Sequence, residues 1–136
     1  VTLDQLQQRS AGRLPALVGF RILELGDDLL LAELDIRPEV LAPNGFLHAA
    51  TVIALADTAC GYGCLAHLPA GAENFTTIEL KANFVSTARD GTIVARARPM
   101  HLGNATQVWD ADVTRQADGR QVALFRCTQM VLWPRR

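Results

Sequence analysis

Between Ala49 and Ala66 the chain carries a single charged residue, Asp57, in a run of small, branched and aromatic side chains. A helix over this run is apolar on nearly every face, so it is expected to be buried on most sides rather than to lie on a surface. A flat sheet covers only one side of a helix. Any sheet in this chain therefore has to curl around it, which predicts an α+β fold: a strongly curved antiparallel sheet wrapping one long central helix. A carboxylate inside such a helix is costly unless it is hydrogen-bonded or has a task. Asp57 is the residue to explain.

The rest of the chain supplies strands for that sheet. Residues 2–10 read as a short amphipathic helix with Leu3 and Leu6 on one face. Residues 20–25 and 29–36 read as a hairpin turning at Gly26-Asp27-Asp28, and Leu30, Ala32 and Leu34 alternate with Leu31, Glu33 and Asp35. Pro38 and Pro43 bracket a loop, and the helix is expected to stop near Ala66 or His67, before Pro69. Four strand-like segments follow, at 75–87, 92–101, 105–116 and 121–132, with turns at Asp90-Gly91 and Asp118-Gly119. Asp-Gly between alternating apolar runs is a hairpin signal, so the four are expected to form an antiparallel meander. Tyr62, Phe84 and Trp109 are expected in the core, and Arg96 and Arg98 on a solvated strand face.

Composition narrows the class. The 136 residues, 49% hydrophobic and 20% charged, suit one globular domain spanning 1–136, with its core at about 15–132. A net charge of −1 with scattered arginines gives no basic surface, so no nucleic-acid partner is expected. Cys60, Cys64 and Cys127 make no zinc-type pair and read as small buried residues in a reducing compartment; no metal is expected. The apolar run is barely long enough to span a membrane and carries Asp57 at its middle, and Val1–Gln8 is polar, unlike a signal peptide. The expectation is a cytoplasmic protein with no membrane partner.

His48-Ala49-Ala50 at the helix start, Leu55-Ala56-Asp57 within it, and Thr77 in the following strand resemble the hotdog-fold acyl-CoA thioesterases, specifically the phenylacetate-degradation (PaaI-like) and 4-hydroxybenzoyl-CoA group. That group carries His-Gly-Gly at the helix start, an acidic residue eight positions after the first glycine, and a Ser or Thr at the start of the next strand. Both motif glycines are alanine here, and alanine is compatible with a helical backbone. Met100-His101-Leu102-Gly103-Asn104 lacks the basic residue often found after that glycine. The resemblance implies an acyl-CoA substrate, no separate cofactor, the Ala49 backbone N–H as oxyanion donor, and self-association as a homodimer or homotetramer.

Thioester hydrolysis needs a polarised carbonyl oxygen and a carboxylate that attacks or activates water. A helix N-terminus offers free N–H groups, and Asp57 offers the carboxylate as nucleophile or general base. Eight residues at a rise of 1.5 Å put the two about 12 Å apart along one helix. They cannot serve one carbonyl from the same chain. A two-fold dimer with antiparallel helices brings each helix start to the partner's middle.

The bland readings stand beside these roles. Asp57 is either catalytic or a structural group bonded to Thr51 or Thr58. His48 is a helix cap or a substrate contact, and Thr77 an orienting hydroxyl or an ordinary strand residue. Asn44 and Gly45 form a turn or sit beside the thioester with Ala50. Gly103 and Asn104 mark a strand break or touch CoA. Two other functions compete with the hydrolase: a non-catalytic acyl-thioester-binding protein, and a dehydratase or hydratase using His48 with Asp57.

Overall fold

The computed structural model describes residues 1–135. Helix α1 spans Leu3–Arg9 and α2 Leu14–Val18; strands β1 (Arg21–Leu25) and β2 (Leu30–Asp35) follow. A 3-10 turn at Pro38–Val40 leads to the long helix α3, Ala49–Ala66. Strands β3 (Asn74–Phe84), β4 (Thr92–Leu102), β5 (Thr106–Arg115) and β6 (Gln121–Leu132) complete the chain. The six strands form one antiparallel sheet in the order β1-β2-β4-β5-β6-β3.

Helix α3 packs against every strand from β2 to β6, so the expected wrapping is present. Its length and mean hydropathy of 1.4 would also suit a membrane span, yet more than half of it is buried inside the fold. Curvature comes with irregularities in pairing: register shifts fall at Ile22/Glu24 in β1, Thr77/Glu79 in β3, Pro99/His101 in β4 and, opposite Val113/Thr114, between Gln121 and Ala123 in β6. Each such shift bends its strand and increases local twist. The inward residues Leu30, Ala32, Leu34, Ile93, Ala95, Ala97, Trp109, Ala111 and Val113 join Leu55, Ala56, Ala59 and Cys60 in one core. On β5 and its neighbours, Asp112 and Asp110 instead pair with Arg98 and Arg126, both at 2.8 Å, as a polar strand face should.

Two expectations need correction, and the burial of α3 on most sides holds with one open stripe. The meander holds only for β4-β5-β6. Strand β3 does not pair with β4; it crosses to the far edge and pairs with β6. Gly91 does adopt the left-handed backbone a tight turn wants (φ 81°), but its carbonyl accepts from Ile36 N–H at 2.8 Å, on the β2 side. A turn dipeptide fixes the local bend, not the strand's partner. Partner choice follows burial: Ile93, Ala95 and Ala97 of β4 are fully covered, while Ile78, Leu80 and Phe84 of β3 remain exposed. Phe84 is therefore not a core residue. Finally, α3 keeps one stripe open, with Ala49 and Ala50 exposed and Ile53, Ala54, Asp57 and Thr58 half-buried.

Helix α2 went unforeseen, although Pro15 inside its start and Gly19 (φ 84°) just past its end mark it out. Together α1 and α2 cover Tyr62, whose hydroxyl lies 2.8 Å from Ser10 Oγ and whose ring meets Phe20 edge-on.

The closest approach of helix to sheet is at Gly63. A Cβ built there would lie 2.6 Å from the Trp109 ring, which is fully buried and tied by its Nε1–H to Gln107 Oε1 at 2.8 Å. The ring has nowhere to go. Gly63→Ala should therefore destabilise the fold by about 1–3 kcal/mol, read as a lower midpoint in urea, despite alanine's better helix propensity; an unchanged or raised midpoint would contradict this packing.

Candidate active site

The loop before α3 sets the helix start. Asn44 Oδ1 accepts from Phe46 N–H at 3.2 Å, and Gly45 sits at φ 86°, where a side chain would be strained. Asn44 and Gly45 thus build a turn. His48 is the N-cap: its Nδ1 accepts from Ala50 N–H at 2.9 Å, while its carbonyl accepts from Thr51 and Val52 N–H. That bond requires a bare Nδ1, so the cap holds His48 with its proton on Nε2. Ala50 N–H is thereby occupied. The Ala49 N–H has no acceptor among the described residues, and Ala49 is exposed. A cavity of about 230 Å³ adjoins it, lined by Leu47, Val52, Phe84, Ser86, Thr87 and Val122.

Two turns further along α3, Asp57 is half-buried against β3. Its contact is Thr77, whose Oγ1 lies 3.5 Å from Asp57 Oδ1. Thr51, a possible structural partner, gives its hydroxyl to Val40 O instead at 2.8 Å. Burial pushes the Asp57 carboxyl above its ordinary value, and a Thr77 hydroxyl that donated to it would act in the opposite direction. Nearby, burial raises the Cys60 thiol too, and carries Cys64 up to about 12, so both thiols are neutral core groups.

The sequence reading missed two glutamines beneath this pair. Gln129 and Gln107 are fully buried and face each other across β5 and β6. The signal was present: both stand in the inward phase of their strands, beside Trp109 and Cys127. A polar side chain in that phase has to be bonded. Gln129 Oε1 accepts from the Thr77 hydroxyl at 2.8 Å.

The nine candidate residues fall into three places. Asn44, Gly45, His48, Ala49 and Ala50 gather at the start of α3, and Asp57 with Thr77 lies at its middle. Gly103 and Asn104 occupy the β4–β5 turn, where Gly103 N–H bonds Thr106 O and Asn104 O accepts from Trp133 Nε1. This turn lies at the end of the sheet opposite the loop that meets Leu47, so one protomer does not bring it to Ala49. Among the described residues no three His, Cys, Asp or Glu side chains cluster as metal ligands.

Acyl transfer needs an oxyanion donor and a base, and an open N–H at a helix start and a lone carboxylate raised in pKa are groups of those two chemical kinds. Comparison with known proteins identifies the lineage. Residues 44–122, which include both features, match the thioesterase superfamily. The chain belongs to that superfamily. The 1,4-dihydroxy-2-naphthoyl-CoA hydrolase of Escherichia coli is 29% identical over 135 residues, covering 97% of this chain and 96% of that protein. A mutant thioesterase from Pseudomonas aeruginosa superposes with a TM-score of 0.91 at 27% identity, covering 97% of this chain and 94% of that one. A thioesterase from Haemophilus influenzae gives 0.90 at 27% identity, with coverages of 97% and 91%. The fold is the hotdog fold of these thioesterases, and the protein is a thioester hydrolase.

Proposed function

We propose that this thioesterase hydrolyses acyl-CoA to a carboxylic acid and CoA in a site shared by two subunits, as the PaaI-like and 4-hydroxybenzoyl-CoA group does. The observation that carries the reading is the lone carboxylate of Asp57, raised by burial in an otherwise apolar helix and open toward a face that the sheet leaves uncovered. The Ala49 N–H polarises the thioester oxygen and stabilises the oxyanion as it forms. Asp57 of the partner subunit either takes a proton from the attacking water or attacks the carbonyl carbon to form a mixed anhydride that water then hydrolyses; in both routes the thiolate of CoA leaves.

Support for the dimer comes from the same face. The open stripe of α3 adjoins β3, an edge strand with Ile78, Leu80 and Phe84 exposed. An apolar edge of this kind favours pairing with another chain, and pairing of two copies is the isologous solution. Two such dimers form the tetramer, and the protein works in the cytoplasm on soluble substrate. The name of the E. coli relative points to an aromatic acyl group.

Thiol release from a panel of aromatic, short-chain and medium-chain acyl-CoAs tests this directly. The expected result is catalytic turnover with the aromatic thioesters ranked first. Saturable binding with no thiol released from any member would instead make the protein a non-catalytic acyl-thioester binder.

A further inference from the structure

Thr77 carries one hydroxyl proton and faces two acceptors. Its Oγ1 lies 2.8 Å from Gln129 Oε1 and 3.5 Å from Asp57 Oδ1. The first is an ordinary O–H···O distance and the second lies beyond the usual range. The proton therefore belongs to Gln129. Thr77 then turns an oxygen lone pair, not a donor, toward Asp57.

The surroundings hold Gln129 in that role. It pairs in register with Thr77, and the irregularity of β3 begins immediately after Thr77, aiming its side chain beneath α3. The Gln129 Nε2 lies 3.4 Å from Cys127 Sγ, within reach of a weak N–H···S bond, and its Oε1 faces Thr77. Gln107, opposite on β5, does not compete: its oxygen accepts from Trp109 Nε1 at 2.8 Å and its Nε2 donates to His67 O at 2.9 Å. These partners are donor-only and acceptor-only, so the Gln107 amide has one orientation.

We propose that Gln129 is a positioning residue for thioester hydrolysis: by accepting the Thr77 hydroxyl it holds that proton away from Asp57. The inference rests on the reading of Asp57 as the catalytic carboxylate. A hydrogen bond donated to a carboxylate favours its charged form and weakens it as a base. With the Thr77 proton committed elsewhere, the Thr77 oxygen is free to accept from the water that Asp57 activates. Asp57 acts on the thiol of Cys60 on its own helix, and Cys127 on β6 and Asp110 on β5 act on that same thiol. None of these is a cation.

The test is the pH dependence of kcat/KM in four proteins: the parent, Gln129→Met, Thr77→Val and the double variant. In Gln129→Met the freed hydroxyl turns to Asp57, and the acidic limb should move down by about half to one unit, with kcat several-fold lower at neutral pH. In Thr77→Val the limb should stay where it is in the parent, because Asp57 loses no donated bond. The double variant should show the Thr77→Val limb without further shift. A folded Gln129→Met whose limb does not move overturns the proposal and leaves Gln129 a packing residue, whatever its activity. A limb that rises in Thr77→Val also overturns it, since Asp57 then holds the proton already; this arm decides the matter alone should Gln129→Met fail to fold. Full activity in Asp57→Asn would remove the site reading itself, whereas an inactive Asp57→Asn beside an unmoved Gln129→Met limb removes only the role of Gln129.

Discussion

Asp57→Asn should lose about 10²- to 10⁴-fold in kcat/KM, the usual worth of a positioned acid–base group, while melting at a higher temperature than the parent at neutral pH. Both halves follow from one observation. Burial raises the Asp57 carboxyl above its ordinary value, so ionising it costs more in the folded chain than in the unfolded one. The native state thus binds this proton more tightly. The cost is absent below the ordinary carboxylate range near pH 4, grows as pH rises toward the folded value, and is complete above it. Asparagine never ionises, so its gain in melting temperature should be largest at neutral pH and vanish in acid. The same shift places the acidic limb of the parent's pH–rate profile above the range of an exposed aspartate. Calorimetry at three pH values beside the thiol assay checks the two halves together. A variant that is inactive and also melts lower at pH 7 would make Asp57 a structural group; one that stays fully active would end the catalytic assignment.

How much of this was legible beforehand can be argued from particular residues. The helix was readable to its last turn, because a run with one charge has a single way to be buried. The hairpin β1–β2 and the strands β4, β5 and β6 were readable from alternation, which marks the inward face whatever the strand order. The edge position of β3 was not. Its apolar residues Ile78, Leu80 and Phe84 look like core residues in the sequence, yet they are exposed in the fold. The pairing of Asp57 with Thr77 was visible through motif spacing, and His48 and Asn44 make the cap and turn bonds that the sequence offered as one of their readings. Gln129 was invisible for a different reason. Its contact with Thr77 spans 52 positions and depends on β3 pairing with β6, which no local turn signal encodes.

Mixing two inactive variants should restore about a quarter of parental activity, which tests the sharing of the site between subunits. Ala49→Pro removes the proposed oxyanion donor. Ala49 is the first residue of α3 and its N–H has no acceptor among the described residues, so proline there costs no hydrogen bond. His48 already sits at φ −66° and ψ 135°, the extended backbone that a residue preceding proline prefers. The variant should therefore fold and be nearly inactive. Asp57→Ala removes the carboxylate and should be nearly inactive for the opposite reason. In a mixed dimer, one site takes Ala49 from the Asp57→Ala chain and Asp57 from the Ala49→Pro chain, and is intact; the other lacks both. Random isologous pairing makes about half of the dimers mixed, each with one working site of two, hence roughly a quarter of the activity. Co-refolding from denaturant with the mixed dimer confirmed by native mass is the measurement. If each chain held a complete site, mixing would restore nothing. A mixed dimer of the right mass that stays as inactive as its parents would therefore overturn the shared site and with it the antiparallel pairing of the two helices.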